Sequence, residues 1–316
     1  MADLPAGATY RPMQLDDIGA VQQHLAARSV ALIGIHQYSL EGVEDFLRNP
    51  QVDLTTDSWL VSIDGAIAGT AAVVQRPDCV GIELTSADRA VADWLMDRTI
   101  ARAAEATRDA GLSEQLVRIS VLGADELVAE LAAARGFSHE TSIQRMKIEH
   151  TGPVDRPVVP AGVVVRSGAV DEGTRRTAYR LIVESFDGQP SSSPPEYGKW
   201  VASREARSTF SWDQLTVLKL DGEPVAVREF DRNFVSSDNC GYIGRIGVLA
   251  QARGRGLAKW LLRDQFAIDA AAGLSGTLLH VDSSNPTPAV GLYLGVGMRP
   301  DIVNDRWRKT LQVSGF

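Results

Sequence analysis

The chain repeats itself, and the repeat constrains its architecture before any single element is assigned. Arg11 with Asp16 recurs as Arg166 with Asp171, and "IDG" at 63–65 recurs as "LDG" at 220–222. Trp94 and Leu95 recur as Trp260 and Leu261, "AGLS" at 110–113 returns unchanged at 272–275, and "LVRISV" at 116–121 matches "LLHVDS" at 278–283. The landmarks keep their order at offsets of 155 to 166 residues, which marks a duplicated domain. Between the copies, "HTGPVDRPVVPAG" at 150–162 is proline-rich and has neither helical nor alternating period, so it reads as a linker. The expected organisation is a first domain over 1–150, a linker over 151–162 and a second domain over 163–316. A length of 316 residues suits two domains.

Both copies predict the same elements. A strand (8–13; 163–167) leads into one or two helices, then a hairpin (59–75; 215–232) around an Asp-Gly turn, where glycine accepts positive φ. A third strand (79–85; 240–249) precedes a helix (88–110; 254–272) and a further strand (115–122; 277–282). A short helix (124–135; 286–295) and a last strand (142–149; 304–312) follow. Consecutive hairpins with helices between strands give an α+β class, each domain a mixed, mainly antiparallel sheet flanked by helices.

Composition removes several functions. No basic segment leads an apolar one, and no apolar run approaches the length of a membrane span, so export and membrane association are not expected and the cytoplasm is the expected location. Cys79 and Cys240 lie far apart without partners at ligand spacing, which points to core or strand-end thiols and to no metal site. A net charge of -8 argues against a nucleic-acid partner and would tolerate a cationic substrate.

One junction stands out. "GVLAQARGRGLAKWLL" at 247–262 passes from an apolar strand through glycines and arginines into a helix. Backbone amides at a helix start, backed by the helix dipole, bind anions. Glycine lets the main chain approach the ligand, and Arg253 and Arg255 supply charge suited to a phosphate. A Walker loop is excluded because Lys259 is followed by Trp260, and the dinucleotide glycine fingerprint is absent. Past the next strand, "NPTPAVGLYLGVGM" at 285–298 places Ala289 and Tyr293 one helical turn apart.

Together the two stretches resemble the GNAT acetyltransferase superfamily. Its R/Q-x-x-G-x-G/A motif matches Arg253, Gly256 and Ala258, with Gln251, Gly254 and Gly256 as an overlapping register. Its second motif matches Asn285, Ala289, Tyr293, Gly297 and Met298. The resemblance spans about residues 163–312 and, more loosely, 8–149, so two tandem GNAT-like domains are expected. It implies an acetyl-CoA-dependent N-acetyltransferase that acts by direct transfer to a primary amine of a small molecule. The expected cofactor residues are Ile246, Val248, Arg253, Gly254, Arg255, Gly256, Leu257, Ala258, Asn285 and Tyr293, with the acetyl carbonyl held where the strand splays near Ile246 to Leu249. Tyr293 stands at the family's general-acid position.

The glutamate that family members often carry on the strand before the phosphate loop is missing from "CGYIGRIGV". Glu229 and Asp282 are the candidate bases, and His280 reads as a packed strand residue. In the first copy Ala87, Ala90 and Ala92 replace Arg253, Gly256 and Ala258, and Asp88 replaces Gly254, so no cofactor binding is expected there. Phe186, Tyr197 and Trp200, in the irregular stretch 184–210, are candidate walls of an acceptor pocket. Two other readings stay open. One is the tandem family member that acetylates the cysteinyl amine of a sugar thiol. The other is a non-catalytic acyl-CoA-binding module. The expected assembly is a monomer or homodimer.

Overall fold

The computed structural model describes residues 3–76, 78–169, 171–187, 195–207, 209–284 and 289–313. Two compact units emerge, residues 1–143 with 302–316 and residues 144–301.

The first unit runs β1 (Ala8–Arg11), α1 (Ile18–Ile33), α2 (Leu40–Leu47), α3 (Leu54–Asp57), β2 (Ser58–Ile63), β3 (Ala66–Gln75), β4 (Val80–Ser86), α4 (Arg89–Asp109), β5 (Glu114–Leu122) and α5 (Glu126–Ala134), then enters β6 (Ser138–Glu149). The second unit takes over within β6 and continues through β7 (Val163–Ser167), α6 (Glu172–Ser185), α7 (Tyr197–Glu205), β8 (Thr216–Leu220), β9 (Glu223–Asp231), α8 (Val235–Asp238), β10 (Cys240–Val248), α9 (Leu257–Ala271), β11 (Gly276–Asp282) and α10 (Ala289–Gly295). β12 (Arg299–Gln312) starts in the second unit, and from Ile302 onward its residues belong to the first. There it pairs antiparallel with β5, from Asn304 opposite Leu122 to Gln312 opposite Glu114.

Local chemistry explains the regular parts. Both hairpin turns have Asp and Gly at positive φ, 51° and 81° at Asp64 and Gly65, 51° and 90° at Asp221 and Gly222. Two successive positive values twist the turn as paired strands require. Asp88 and Asp171 cap α4 and α6, each accepting from a main-chain amide three residues on. Two strand pairs are parallel, β4 with β5 and β10 with β11, while β1–β2, β2–β3, β3–β4, β7–β8, β8–β9 and β9–β10 are antiparallel.

In the second unit the two faces of β9 serve different cores. Val227 packs with Ala178, Leu181, Trp200 and Leu215 beneath α6 and α7. Ala226 joins the cluster built on Leu257, Trp260 and Leu261 of α9, and Phe230 packs with Leu262 and Phe266 of the same helix. Arg228, fully buried on the α9 side, donates to the Leu261 carbonyl, Asp264 Oδ2 and Thr216 Oγ1. Burying both faces of a strand in this way explains why Val225, Ala226 and Val227 run apolar without alternation and why the charged Arg228, Glu229 and Asp231 beyond them need partners. Cys79 and Cys240 are both buried and free. Among the described residues, no helix is long and apolar enough to cross a membrane.

Candidate active site

The site grows out of a strand that loses its neighbour. β10 pairs with β11 only from Cys240 opposite Gly276 to Ile243 opposite Leu279. Its antiparallel pairing with β9 nevertheless continues to Val248 opposite Ala226, with a register shift between Ile243 and Arg245. Gly244 is the extra residue, and a bulge bends the strand that carries it. The split therefore opens after Ile243, three residues ahead of the expected position. Residues beyond it alternate, one amide turned to β9 and the next toward the gap, so main-chain donors line a cleft of about 610 Å³. Ile246, Val248, Phe186, Asp282 and Tyr293 all face this cleft.

At its mouth the chain turns into α9, which starts at Leu257 rather than at the expected residue 254. The reason is conformational: Gly254 and Gly256 sit at φ 77° and 76°, outside the helical region. A Cβ at either would meet nothing within 4 Å, so backbone conformation, not crowding, selects glycine here. Gly256 is the N-cap of α9, and no side chain accepts its first-turn amides. Arg253 donates through Nε to the Val248 carbonyl and through Nη2 to that of Ser185, tying the turn to the end of α6. Arg253, Arg255 and Lys259 are exposed. Uncapped amides, the positive end of a helix, and Arg253 and Lys259 in the cleft wall are chemistry suited to a diphosphate such as that of acetyl-CoA. Gly247 has a different role, since a Cβ there would lie 2.6 Å from Ser185 Oγ and push α6 off the strand.

The remaining expected residues separate. Tyr293 lines the cleft while packing in the core with Met298 and Val296, and burial pushes its phenol up to about 12. Asp282, at the end of β11, accepts from the amide and hydroxyl of Ser284. Glu229 is not among the cleft-lining residues. It is buried between Arg204 Nη2 at 3.1 Å and Arg207 Nη2 at 3.3 Å. Trp200, expected as a pocket wall, is fully buried in the core under α7, because 197–205 folds as a helix that turns it inward. Tyr197 donates to Glu172 Oε2 at 2.9 Å on α6 and is likewise absent from the cleft wall. Asn285 lies outside the described residues.

Some cleft residues went unforeseen. His280 is not simply packed: it lines the cleft, and its Nδ1 is 3.2 Å from Tyr242 Oη across the β10–β11 junction. Desolvation lowers its pKa to about 4, so the ring is neutral near neutrality. Arg245 lies on β10 opposite Glu229 and also faces the cleft. Its sequence signal was a lone cation in an otherwise apolar strand. Among the described residues, no cluster of three or more His, Cys, Asp or Glu could hold a metal ion.

The split parallel pair and the uncapped glycine turn both lie within the stretch that matches a known family. Residues 177–298 match the Acetyltransferase (GNAT) family. A GCN5-related N-acetyltransferase from Sphaerobacter thermophilus superposes with a TM-score of 0.84 at 22% identity, covering 99% of this chain and 98% of that one. A tandem GNAT protein from the clavulanic acid biosynthesis pathway does so with a TM-score of 0.65 at 14% identity, over 98% and 100%. In sequence, a mycothiol acetyltransferase from Frankia alni is 29% identical over 62% of each chain, so the match spans somewhat less than two thirds of that relative. One from Streptomyces griseus is 27% identical over 79% of each. A GNAT domain thus occupies residues 177–298, and along nearly its whole length the chain shares the fold of that tandem GNAT protein.

Proposed function

We propose that the second unit is an N-acetyltransferase that transfers an acetyl group directly to the primary amine of a small molecule bound beside the donor. The observation that carries this reading is the uncapped 253–258 turn opening into the β10–β11 split, with Tyr293 in the wall. Acetyl-CoA supplies an activated thioester, whose diphosphate would rest on the amides of 253–258. Amides of β10 beyond the bulge would hold the thioester carbonyl oxygen and stabilise the charge that builds there. As the amine nitrogen bonds to the carbonyl carbon the C–S bond breaks, Tyr293 gives its phenolic proton to the departing sulfur, and the second proton that the acylated nitrogen sheds returns to the phenol. The amine must first lose a proton, and Asp282 is the better placed of the two candidate carboxylates because it faces the cleft. Glu229 is engaged by two guanidinium groups and does not line the cleft.

The first unit reads as a structural partner without donor binding. In α4 the equivalent first-turn amide is already taken, because Asp88 accepts from Val91. A carboxylate at that point also repels a diphosphate.

The Frankia and Streptomyces relatives favour a second reading, acetylation of the cysteinyl amine of a mycothiol precursor. Mass spectrometry of an amine panel that includes such a precursor, incubated with protein and acetyl-CoA, tests both. An acetylated product with a mass gain of one acetyl group is expected, and acetyl-CoA that binds without transfer to any amine would refute transferase action.

A further inference from the structure

Arg245 lines the cleft, and the strand paired beside it carries two carboxylates, Glu229 and Asp231, that do not. Arg204 and Arg207 reach toward the face of β9 and β10 that carries Glu229, Asp231 and Arg245. Both carboxylates are fully engaged. Glu229 Oε2 accepts from Arg204 and Oε1 from Arg207, while Asp231 Oδ2 accepts from Arg207 at 2.8 Å and Oδ1 from the Asn233 amide at 2.8 Å.

Nothing is left for Arg245. It stands opposite Glu229 in register, yet among the described residues its side chain forms no ion pair or hydrogen bond, and its Nη1 is buried without a partner. An aromatic ring, Phe186, lies over it, with its centre 5.7 Å from the guanidinium carbon. Arg245 as a whole is half-buried, but a guanidinium N–H that is itself buried without an acceptor is unfavourable unless a ligand supplies one. The guanidinium fork matches a carboxylate in geometry as well as charge. Its position on β10, directly after the bulge that opens the split, places that charge beside the point of acetyl transfer. Phe186 would cover the apolar part of the same ligand.

We propose that Arg245 receives a carboxylate of the acceptor, so that the amine acetylated here belongs to an amino-acid-like molecule rather than to a neutral amino sugar or a polyamine. This rests on the transferase reading above. The expected cationic acceptor is thereby narrowed to a zwitterion, with an ammonium and a carboxylate separated by a few bonds.

The test uses the full-length protein, acetyl-CoA and matched sets of amines: amino acids, their carboxamides and their decarboxylated counterparts. Release of the CoA thiol gives kcat/KM, and mass spectrometry identifies each product. The assay runs near pH 9, where differences in amine ionisation between the sets matter least. The acids should exceed their carboxamides by at least about tenfold, because a site built around a charged partner discriminates against analogues that lack it. Arg245→Gln should bring that ratio close to one with acetyl-CoA affinity by calorimetry unchanged, and Arg245→Lys should keep part of it. Equal rates for acid and carboxamide, or an acid preference that survives Arg245→Gln, would overturn the assignment while leaving the transferase intact. If no amine in any set is acetylated although acetyl-CoA binds, the transferase reading itself falls and this inference with it. Should Arg245→Gln fail to fold, the acid-to-carboxamide ratio of the unmodified protein decides.

Discussion

Asp88 and Gly256 are the N-caps of corresponding helices in the two units, and they treat the amides behind them in opposite ways. Asp88 lends its carboxylate to the Val91 amide, whereas Gly256 offers no side chain and leaves the first turn of α9 without a side-chain partner. The two helices do not begin at the same distance from their shared tryptophan. Trp94 follows its cap by six residues and Trp260 by four. The second copy spends the two extra residues on the positive-φ turn.

Gly256→Asp should give α9 the first copy's chemistry. The new carboxylate would compete for the amides and repel the diphosphate. Losing two charge-assisted hydrogen bonds, each about 1.5–3 kcal/mol, should raise the Kd for acetyl-CoA by at least about 100-fold in calorimetry. Gly256→Ala separates backbone strain from charge, since it should cost about 1–2 kcal/mol of stability for a left-handed residue while weakening binding far less.

Tyr293→Phe should lower kcat by about 10²–10⁴-fold, the range for loss of a general acid, with acetyl-CoA affinity unchanged. Because its phenol is pushed up to about 12, the tyrosine stays protonated throughout the working range. A kcat profile extended to pH 9 should therefore show no alkaline loss attributable to it. A variant as active as the parent would remove Tyr293 from the mechanism.

The two carboxylates should respond differently. Glu229→Gln removes the charge that compensates Arg204, and breaking a buried pair of this kind costs about 3–5 kcal/mol, to be read as a fall in the denaturant midpoint. Asp282→Asn should leave the midpoint nearly unaltered and flatten the acid limb of kcat/KM. The reverse pattern would return the base role to Glu229.

Asp269 and His280 should pull stability in opposite directions across the same pH range. Burial raises Asp269 to about 6, although Thr277 and Gln265 both donate to it. The folded state thus holds a proton that the unfolded chain releases near 3.8, so its stabilisation is complete below that value and is lost as pH rises through about 6. Two pH units correspond to about 3 kcal/mol. His280, lowered from 6.5 to about 4, does the opposite: its contribution is present above 6.5 and is lost as pH falls toward 4. One side of the ring reaches solvent, so its effect is the smaller. Between pH 4 and 6.5 the parent protein should show a shallow slope. Asp269→Asn should expose a rise of stability with pH, and His280→Asn should steepen the fall; parallel curves for all three proteins would contradict the assignment.

The sequence disclosed what local chemistry determines. Asp-Gly turns and the Arg253–Ala258 stretch are legible because glycine and charge act within a few residues. Trp200 was misplaced because the prolines and serines before it suggest a loop, whereas the pull on its indole comes from Leu181 and Leu215 far along the chain. The bulge at Gly244 leaves no mark beyond one glycine among several. Arg245 resisted interpretation for a further reason: a lone cation acquires meaning only once every neighbouring carboxylate is known to be engaged.

Residues 144–149 cluster with the second unit and 302–316 with the first. Cleaving the chain anywhere in 150–162 would thus strand a segment of each unit on the wrong fragment, leaving both sheets with an unprotected edge prone to aggregation. Truncation at the linker would take part of a strand from the second unit as well. Mutual dependence of this sort ties both units to one chain, and it makes co-expression of both segments the condition for recovering either.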